Sequence, residues 1–164
     1  MGVKIGSGNF GTVNKGILLG LYDSSSKTTV AIKSANGLGC PTELNDLMAE
    51  IKIMSCINPH PNLVSLIGSC SSELKRDGNL WLLIEFCEHG DLQNYLKKNE
   101  GRILSGKETD PINSRNLLKW LFEIAKGMQY LEENKIMHGD LAARNILMAD
   151  DPSDSNTPMA KVAD

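Results

Sequence analysis

The sequence lacks any apolar run long enough to cross a membrane. Its longest candidate, Leu80–Phe86 in "LWLLIEF", contains one glutamate and has the length of one strand, whereas a membrane helix needs about 18 or more apolar residues. The N-terminal stretch "MGVKIGSGNF" has no hydrophobic signal-peptide core, and glycine at position 6 breaks the myristoylation pattern. We therefore expect no membrane segment in these residues and a cytoplasmic location.

Neither sign of charge dominates, and cysteines are sparse. The chain has 17 Lys and Arg against 20 Asp and Glu, which gives a net charge of −3 and argues against nucleic acid as a partner. The four cysteines form no C-x-x-C pair and no cluster with histidine. This spacing disfavours a zinc site or a disulfide framework and favours reduced thiols in the cytosol.

The hydrophobic pattern changes from strands to helices along the chain. Strands are predicted where β-branched or apolar residues lie between turns: in residues 3–35, in "NLVSLIGSC" and in "NLWLLIEFC". Two helices are predicted where apolar residues recur at intervals of three and four. The first has Leu44, Leu47, Met48, Ile51 and Met54, and the second, capped by Ser114, has Leu117, Leu121, Ile124, Met128 and Leu131.

A β-rich front half followed by a helical back half predicts an α+β fold of two packed lobes with a crevice between them. We expect the first lobe to cover residues 1–88 and the second to cover residues 89–164. In the second lobe, "NILMA" and "MAKVAD" predict two strands. The polar stretch "ADDPSDSNTP" between them predicts a solvated bulge.

Two stretches of the first lobe have the chemistry of a phosphate site. "GSGNFG", Gly6–Gly11, fits G-x-G-x-x-G and joins two predicted strands, so its backbone N–H groups could cover an anion. Hairpin turns contain similar glycines, and the motif alone is weak. In "VAIK", Lys33 ends an apolar run, and Glu50 on the first helix could hold its ammonium for phosphate contact. The alternatives are a snorkelling lysine and a solvated glutamate.

The stretch "HGDLAARN" is the most specific in the chain. Asp140 could orient a hydroxyl nucleophile, and the amide oxygen of Asn145 could hold a cation. A loop with Asp and Asn is common, but this loop downstream of "VAIK" and a glycine-rich hairpin is not. By contrast, "GRILSGKE" approaches a phosphate-binding P-loop but has Glu108 where a hydroxyl residue is needed, so we expect a surface loop.

At these residues the chain resembles a protein kinase, and specifically the tyrosine kinases, whose catalytic loop reads "HRDLAARN". The resemblance covers all 164 residues, from the glycine-rich loop to the aspartate of the Asp-Phe-Gly motif, and "LIEFCEHGDL" is similar to the hinge of receptor-type members. It implies an N-terminal sheet lobe with one helix and the first part of a helical C-terminal lobe. It also implies ATP, Mg²⁺ and a protein substrate with a tyrosine.

The resemblance assigns roles to residues of both lobes. Lys33 would contact the α- and β-phosphates and pair with Glu50, while Asp140 would be the catalytic base, with Arg144 near the substrate. Asn145 and Asp164 would hold Mg²⁺, and His138 would be structural. The glycine-rich loop over the phosphates would comprise Gly6, Gly8, Phe10 and Gly11. The residues on the two sides of the adenine would be Ile5, Val13, Ala31 and Leu147, with Ile84 as gatekeeper and with Glu85 and Cys87 offering hinge backbone groups to the base.

Two features set this sequence apart from the family pattern. Gly139 stands where the family usually has arginine, so we expect phosphorylation of the activation loop to change activity little. The chain also stops at Asp164, which predicts that these 164 residues are inactive alone. The alternative functions are a catalytically inactive kinase-like binding or regulatory module, and a kinase for small molecules, which "DLAARN" disfavours.

Overall fold

The computed structural model describes residues 3–8, 11–21, 23–36, 41–71, 74, 78–101 and 112–163. Its contacts divide the chain into two compact units. The first unit contains residues 1–58 and 65–86, and the second contains residues 59–64 and 87–164. The second unit therefore includes a short segment that precedes the end of the first unit in sequence.

The first unit is an antiparallel sheet with one long helix packed on it. The order of its strands is β1-β2-β3-β5-β4. Its core consists of the buried side chains of Ala35, Leu47, Leu80 and Leu82. The elements are β1 Lys4–Gly8, β2 Gly11–Leu19, β3 Lys27–Asn36, α1 Pro41–Cys56, β4 Leu66–Cys70 and β5 Asn79–Glu85.

The second unit is built around an antiparallel hairpin and a helix of 20 residues. Asn113 caps this helix by accepting a hydrogen bond from the Asn116 N–H at 3.0 Å. The cap therefore lies one residue before Ser114, the predicted capping residue. The elements are α2 Leu92–Lys98, α3 Ser114–Glu133, β6 Ile146–Asp151 and β7 Asp154–Val162.

The buried stripe of α3 differs from the predicted one. Trp120, Gly127 and Leu131 are buried, whereas Leu121, a member of the predicted stripe, is 62% exposed. Apolar residues lie on both faces of this helix, so their spacing alone did not indicate which face packs against β7. The indole Nε1 of Trp120 donates a hydrogen bond to the Pro158 carbonyl at 2.8 Å and fixes the buried face.

The stretch "ADDPSDSNTP" is mostly strand rather than loop, and its pairing has one register irregularity, between Ala149 and Asp151. The middle of the stretch is exposed, as predicted. β7 begins at Asp154, and only Pro152 and Ser153 form the turn. The Asp151 carboxylate accepts hydrogen bonds from both the N–H and the hydroxyl of Ser153, at 2.8 and 2.6 Å, and thereby tightens the turn. Thr157 and Pro158 are buried rather than solvated.

Both edges of the hairpin are covered by other parts of the second unit. On the β7 side, the Val64 N–H donates to the Val162 carbonyl, and the Val162 N–H donates to the Asn62 carbonyl, both at 2.9 Å. On the β6 side, the Met148 N–H donates to the Gly90 carbonyl at 2.8 Å, and the His89 N–H donates to the Met148 carbonyl at 3.1 Å. The hairpin therefore has its edge hydrogen-bonding groups paired instead of exposed.

A non-glycine residue in the left-handed region ends α3. Lys135 has φ of 59°, and the Ile136 N–H donates to the Leu131 carbonyl while the Lys135 N–H donates to the Glu132 carbonyl, both at 2.9 Å. This pattern is the Schellman motif, which favours glycine at the position of Lys135. A left-handed conformation costs an L-residue about 1–2 kcal/mol, and Lys135→Gly would remove this cost. Glycine loses more backbone entropy on folding, which offsets part of the gain. We therefore expect Lys135→Gly to raise the free energy of unfolding by up to about 1 kcal/mol.

Chemical denaturation of the wild type and the variant measures this difference. Lys126→Gly, in the interior of the same helix, is the matched control and should lower the free energy of unfolding by about 1 kcal/mol. Equal losses in the two variants would contradict the assignment of Lys135 to the cap.

Candidate active site

A buried lysine of the first unit forms an ion pair with the long helix. Lys33 lies in β3 and Glu50 lies in α1, and the Lys33 Nζ is 2.7 Å from the Glu50 Oε2. The two side chains are 7% and 21% exposed. Glu50 follows the fully buried Leu47 by one helical turn, so packing of α1 on the sheet brings its carboxylate to the lysine. The predicted partnership of these two residues is therefore present.

The glycine-rich stretch is the hairpin that joins β1 to β2. Gly6 pairs with Val13, and Gly8 pairs with Gly11 at the closing end. The loop thus joins two strands, as predicted, and differs from a nucleotide-binding loop that leads from a strand into a helix. Phe10 lies outside the described residues.

Several residues predicted around the base share one face of the sheet. Ala31 pairs with Ile84 in the β3–β5 ladder, and Lys33 pairs with Val13 in the β2–β3 ladder. Cross-strand partners point to the same face of a sheet, so this face carries both the ion-pair lysine and the apolar residues. Ile5 lies at an irregular position of β1 and is 47% exposed.

Three polar residues of the "HGDLAARN" loop in the second unit are joined by hydrogen bonds. The Arg144 Nη2 donates to both carboxylate oxygens of Asp140, at 2.7 and 2.8 Å. The Asn145 Nδ2 donates to the carbonyl oxygen and to the Oδ2 of Asp140, at 2.8 and 2.9 Å. Asp140, Arg144 and Asn145 are thus brought together although only the short turn Ala143–Asn145 is regular structure.

The charge of Asp140 is fixed by these contacts. The hydrogen bond from Arg144, followed by that from Asn145, holds the pKa of the Asp140 carboxyl below its usual range. The side chain is 64% exposed, so a substrate could approach it. Asp140 is therefore an accessible, oriented carboxylate at neutral pH.

Asn145 also lies at the base of the hairpin. The Ala163 N–H donates to the Asn145 carbonyl at 2.9 Å, so the ladder brings the chain end next to this residue. Asp164, the second predicted metal ligand, follows Ala163 directly but lies outside the described residues. Leu147, predicted beneath the base, is half-buried in β6 and forms a bridge to Asp91.

Gly139 and His138 directly precede Asp140 in sequence and have different surroundings. Gly139 has φ of +79°, and a Cβ built there would meet no atom within 4 Å, so conformation alone favours glycine. Both ring nitrogens of His138 are buried and find no hydrogen-bond partner within the described part of the chain. Burial of both nitrogens fits the predicted structural role for His138.

Sequence reasoning missed an ionic network behind the hairpin. The Lys119 Nζ is 2.8 Å from the Asp151 Oδ2 and 3.8 Å from the Glu123 Oε1, while the Glu123 Oε2 accepts the Ala160 N–H at 2.7 Å. Burial raises the pKa of Asp151, but hydrogen bonds from Lys119 and Ser153 outweigh it and lower the pKa to about 2. The i,i+4 spacing of Lys119 and Glu123 was the only available signal.

The cysteines and the helices show further properties of the described chain. Cys56, Cys70 and Cys87 are thiols and form no disulfide, while Cys40 lies outside the described residues. Among the described helices, none is both long and apolar enough to span a membrane. Within the same residues, no three His, Cys, Asp or Glu side chains form a group that could hold a metal ion.

The first unit has a lysine–glutamate pair and a glycine-rich hairpin, the second has a hydrogen-bonded Asp–Arg–Asn loop, and each of these features is typical of phosphoryl-transfer proteins. The whole chain, residues 1–164, matches the model of the protein tyrosine and serine/threonine kinase family, and the chain belongs to that family.

Receptors for fibroblast growth factor are among its relatives. The chain is 31% identical over 158 residues to "Fibroblast growth factor receptor" of Strongylocentrotus purpuratus, and the matched region covers 92% of this chain and 16% of that protein. It is 33% identical over 165 residues to "Fibroblast growth factor receptor homolog 2" of Drosophila melanogaster, with 92% and 15% covered. For "Fibroblast growth factor receptor 1" of Pleurodeles waltl, the identity is 32% over 162 residues, with 92% and 19% covered. The chain thus spans less than a fifth of the length of these relatives.

Members of this family generally use ATP and Mg²⁺, and the donors of the described loop fit the metal. The Asn145 Nδ2 is committed to Asp140, which leaves the amide Oδ1 as the atom that can take a cation. The Asn145 amide oxygen, together with the carboxylate predicted at Asp164, would be a donor set that suits Mg²⁺.

Proposed function

We propose that the chain forms the catalytic part of a protein tyrosine kinase that transfers the γ-phosphoryl group of ATP to a tyrosine hydroxyl, with Mg²⁺ as cofactor. The observation that carries this proposal is the hydrogen-bonded group of Asp140, Arg144 and Asn145. A carboxylate held by a guanidinium and an amide has a fixed direction, which is what positioning of a hydroxyl nucleophile requires.

In the proposed reaction, the Asp140 carboxylate accepts the hydrogen bond of the tyrosine hydroxyl. The hydroxyl oxygen forms a bond to the γ-phosphorus as the bond between that phosphorus and the bridging oxygen of ADP breaks, and the proton passes to Asp140. The low pKa of Asp140 makes it a weak base, so its main contribution is orientation. Arg144 balances the carboxylate charge while the anionic nucleotide is bound.

The first unit supplies the nucleotide-binding groups in this proposal. The Lys33 ammonium, which Glu50 holds at 2.7 Å, would contact the α- and β-phosphates. The hairpin with Gly6, Gly8 and Gly11 would cover the phosphates, and the base would lie against Ile5, Val13, Ala31 and Ile84. Glu85, Cys87 and Leu147 complete the proposed base site.

Asn145 and Asp164 would hold Mg²⁺, which supplies positive charge to the phosphate oxygens when bound. The protein's own contribution is to fix the direction of the Asn145 amide through its two hydrogen bonds to Asp140.

The relatives named as fibroblast growth factor receptors support a finer proposal. We place the chain on the cytoplasmic side of a receptor-type kinase that acts in signalling, with proteins that contain tyrosine as substrates. Nucleic acid is not an expected partner.

The test uses the longest natural polypeptide that contains residues 1–164. It is incubated with Mg²⁺ and γ-labelled ATP and with three peptides that differ only in a central tyrosine, serine or phenylalanine. We expect label in the tyrosine peptide alone. Label in the serine peptide at a comparable rate would contradict the tyrosine specificity, and nucleotide binding without any transfer would favour the inactive regulatory module.

A further inference from the structure

A second lysine lies on the sheet face that carries the proposed base site. In the ladders of the first unit, Lys15 of β2 pairs with Ala31 of β3, and Ala31 pairs with Ile84 of β5. Cross-strand partners direct their side chains to the same face. Lys15 therefore shares its face with Ala31 and Ile84, two of the residues proposed around the base.

The ammonium of this lysine contacts the segment that follows β5. The Lys15 Nζ lies 4.3 Å from the centroid of the Phe86 ring, within the distance at which an ammonium is attracted to an aromatic face. Phe86 is half-buried and is the first residue after β5, which ends at Glu85. The strand ladder therefore does not hold Phe86, and the ring contact ties it to β2.

Glu85, the residue before Phe86, is held by the segment next to β4, on the side of β5 away from β2. The Glu85 N–H donates to the Ser65 carbonyl at 3.0 Å, and the Glu85 carboxylate accepts the Ser65 N–H at 2.8 Å. Contacts next to β4 thus fix Glu85, and a contact from β2 fixes Phe86. Both residues belong to the segment whose backbone would bind the edge of the base.

We infer that Lys15 is a positioning residue for adenine recognition: its ammonium holds the Phe86 ring and thereby the backbone at Glu85 and Phe86. This inference rests on the proposed function. Lys15 lies two residues beyond Val13, the strand partner of Lys33, so its Cα lies roughly 7 Å further along the strand. We therefore expect Lys15 to affect binding of the base, whereas Lys33 would bind the phosphates.

The experiment compares ATP with adenosine, which has the base but no phosphates. Dissociation constants are measured by calorimetry for the longest natural polypeptide containing the chain and for Lys15→Met, Lys15→Arg and Lys27→Met. Lys27, an exposed residue of β3, has no such role and controls for net charge. We expect Lys15→Met to weaken both ligands by the same factor, about two- to fivefold, while Lys15→Arg and Lys27→Met bind as the wild type does.

A double-mutant cycle provides the second measurement. In the Phe86→Leu background, Lys15→Met should cause no further loss, because the ring that it holds is absent. Thermal unfolding of each variant identifies any loss of fold. If Lys15→Met is unstable, Phe86→Leu alone, which removes the same contact, should weaken ATP and adenosine by the same factor.

Other results would overturn the inference. Weaker binding of ATP with unchanged binding of adenosine would make Lys15 a phosphate-binding cation, and equal losses in Lys15→Met and Lys27→Met would make the effect one of surface charge. If the wild type binds both ligands and Lys15→Met binds them equally well, the inference is wrong while the proposed function stands. If the wild type binds neither ligand, the proposed function itself is overturned.

Discussion

Replacement of Lys33 by methionine should lower the rate of phosphoryl transfer by about a hundredfold or more, because one positioned charge in such a site is worth at least that much. The Lys33 side chain is 7% exposed and its ammonium lies 2.7 Å from the Glu50 carboxylate, so its position is fixed before any substrate binds. Methionine keeps most of the apolar stem but has no charge. Initial rates with a tyrosine peptide measure the loss in the longest natural polypeptide that contains the chain.

Two further variants separate charge placement from stability. Glu50→Gln keeps the ammonium but weakens its restraint, so we expect a smaller loss of rate than in Lys33→Met. Lys27→Met removes a lysine from the exposed end of the same strand and should have the wild-type rate. Circular dichroism at the assay temperature establishes that the variants are folded. A folded Lys33→Met protein with the rate of the wild type would exclude Lys33 from catalysis.

Replacement of Gly127 by alanine should lower the free energy of unfolding by about 1–3 kcal/mol, the usual cost of overpacking. A Cβ at this position of α3 would lie 2.6 Å from the carbonyl oxygen of Asn62 and 3.1 Å from a Val162 methyl. The same carbonyl accepts the hydrogen bond of the Val162 N–H at 2.9 Å. Relief of the clash would therefore displace a backbone acceptor at the edge of β7.

The sign of this effect distinguishes packing from helix propensity. In an unobstructed helix interior, glycine to alanine would raise the free energy of unfolding by about 1 kcal/mol. Ala125→Gly, at an exposed position of the same helix, should therefore be destabilising, and so should Gly127→Ala. Denaturant unfolding of both proteins measures the two values. A Gly127→Ala protein that is more stable than the wild type would show that Asn62 does not approach α3 so closely.

The contacts that sequence could predict lie in strongly patterned elements. "VAIK" is an apolar strand, and Glu50 lies at the edge of a regular apolar stripe, so the pair followed from two local patterns. The group around Asp140 followed from a motif in which four polar residues lie close together. Their roles in catalysis remain predictions, and Phe10 and Asp164 lie outside the described residues.

Other features depend on contacts between distant residues and have no local signal. The first half of β7 contains Asp154, Ser155, Asn156 and Pro158, which are residue types typical of turns. It is a strand next to α3, where Trp120 donates to the Pro158 carbonyl. Similarly, no pattern links Lys15 to Phe86, which are 71 positions apart in sequence. Such pairs become visible only when the strand register is known.

The segment 59–64 makes the second unit discontinuous in sequence. This unit takes residues from both sides of β4 and β5, and its hairpin needs the Asn62 carbonyl and the Val64 N–H along one edge. A gene fragment that encodes only residues 87–164 would produce a hairpin with an open edge, which is a site for aggregation. Because the second unit is formed from two separate segments of the chain, a single cut between residues 86 and 87 does not leave it intact.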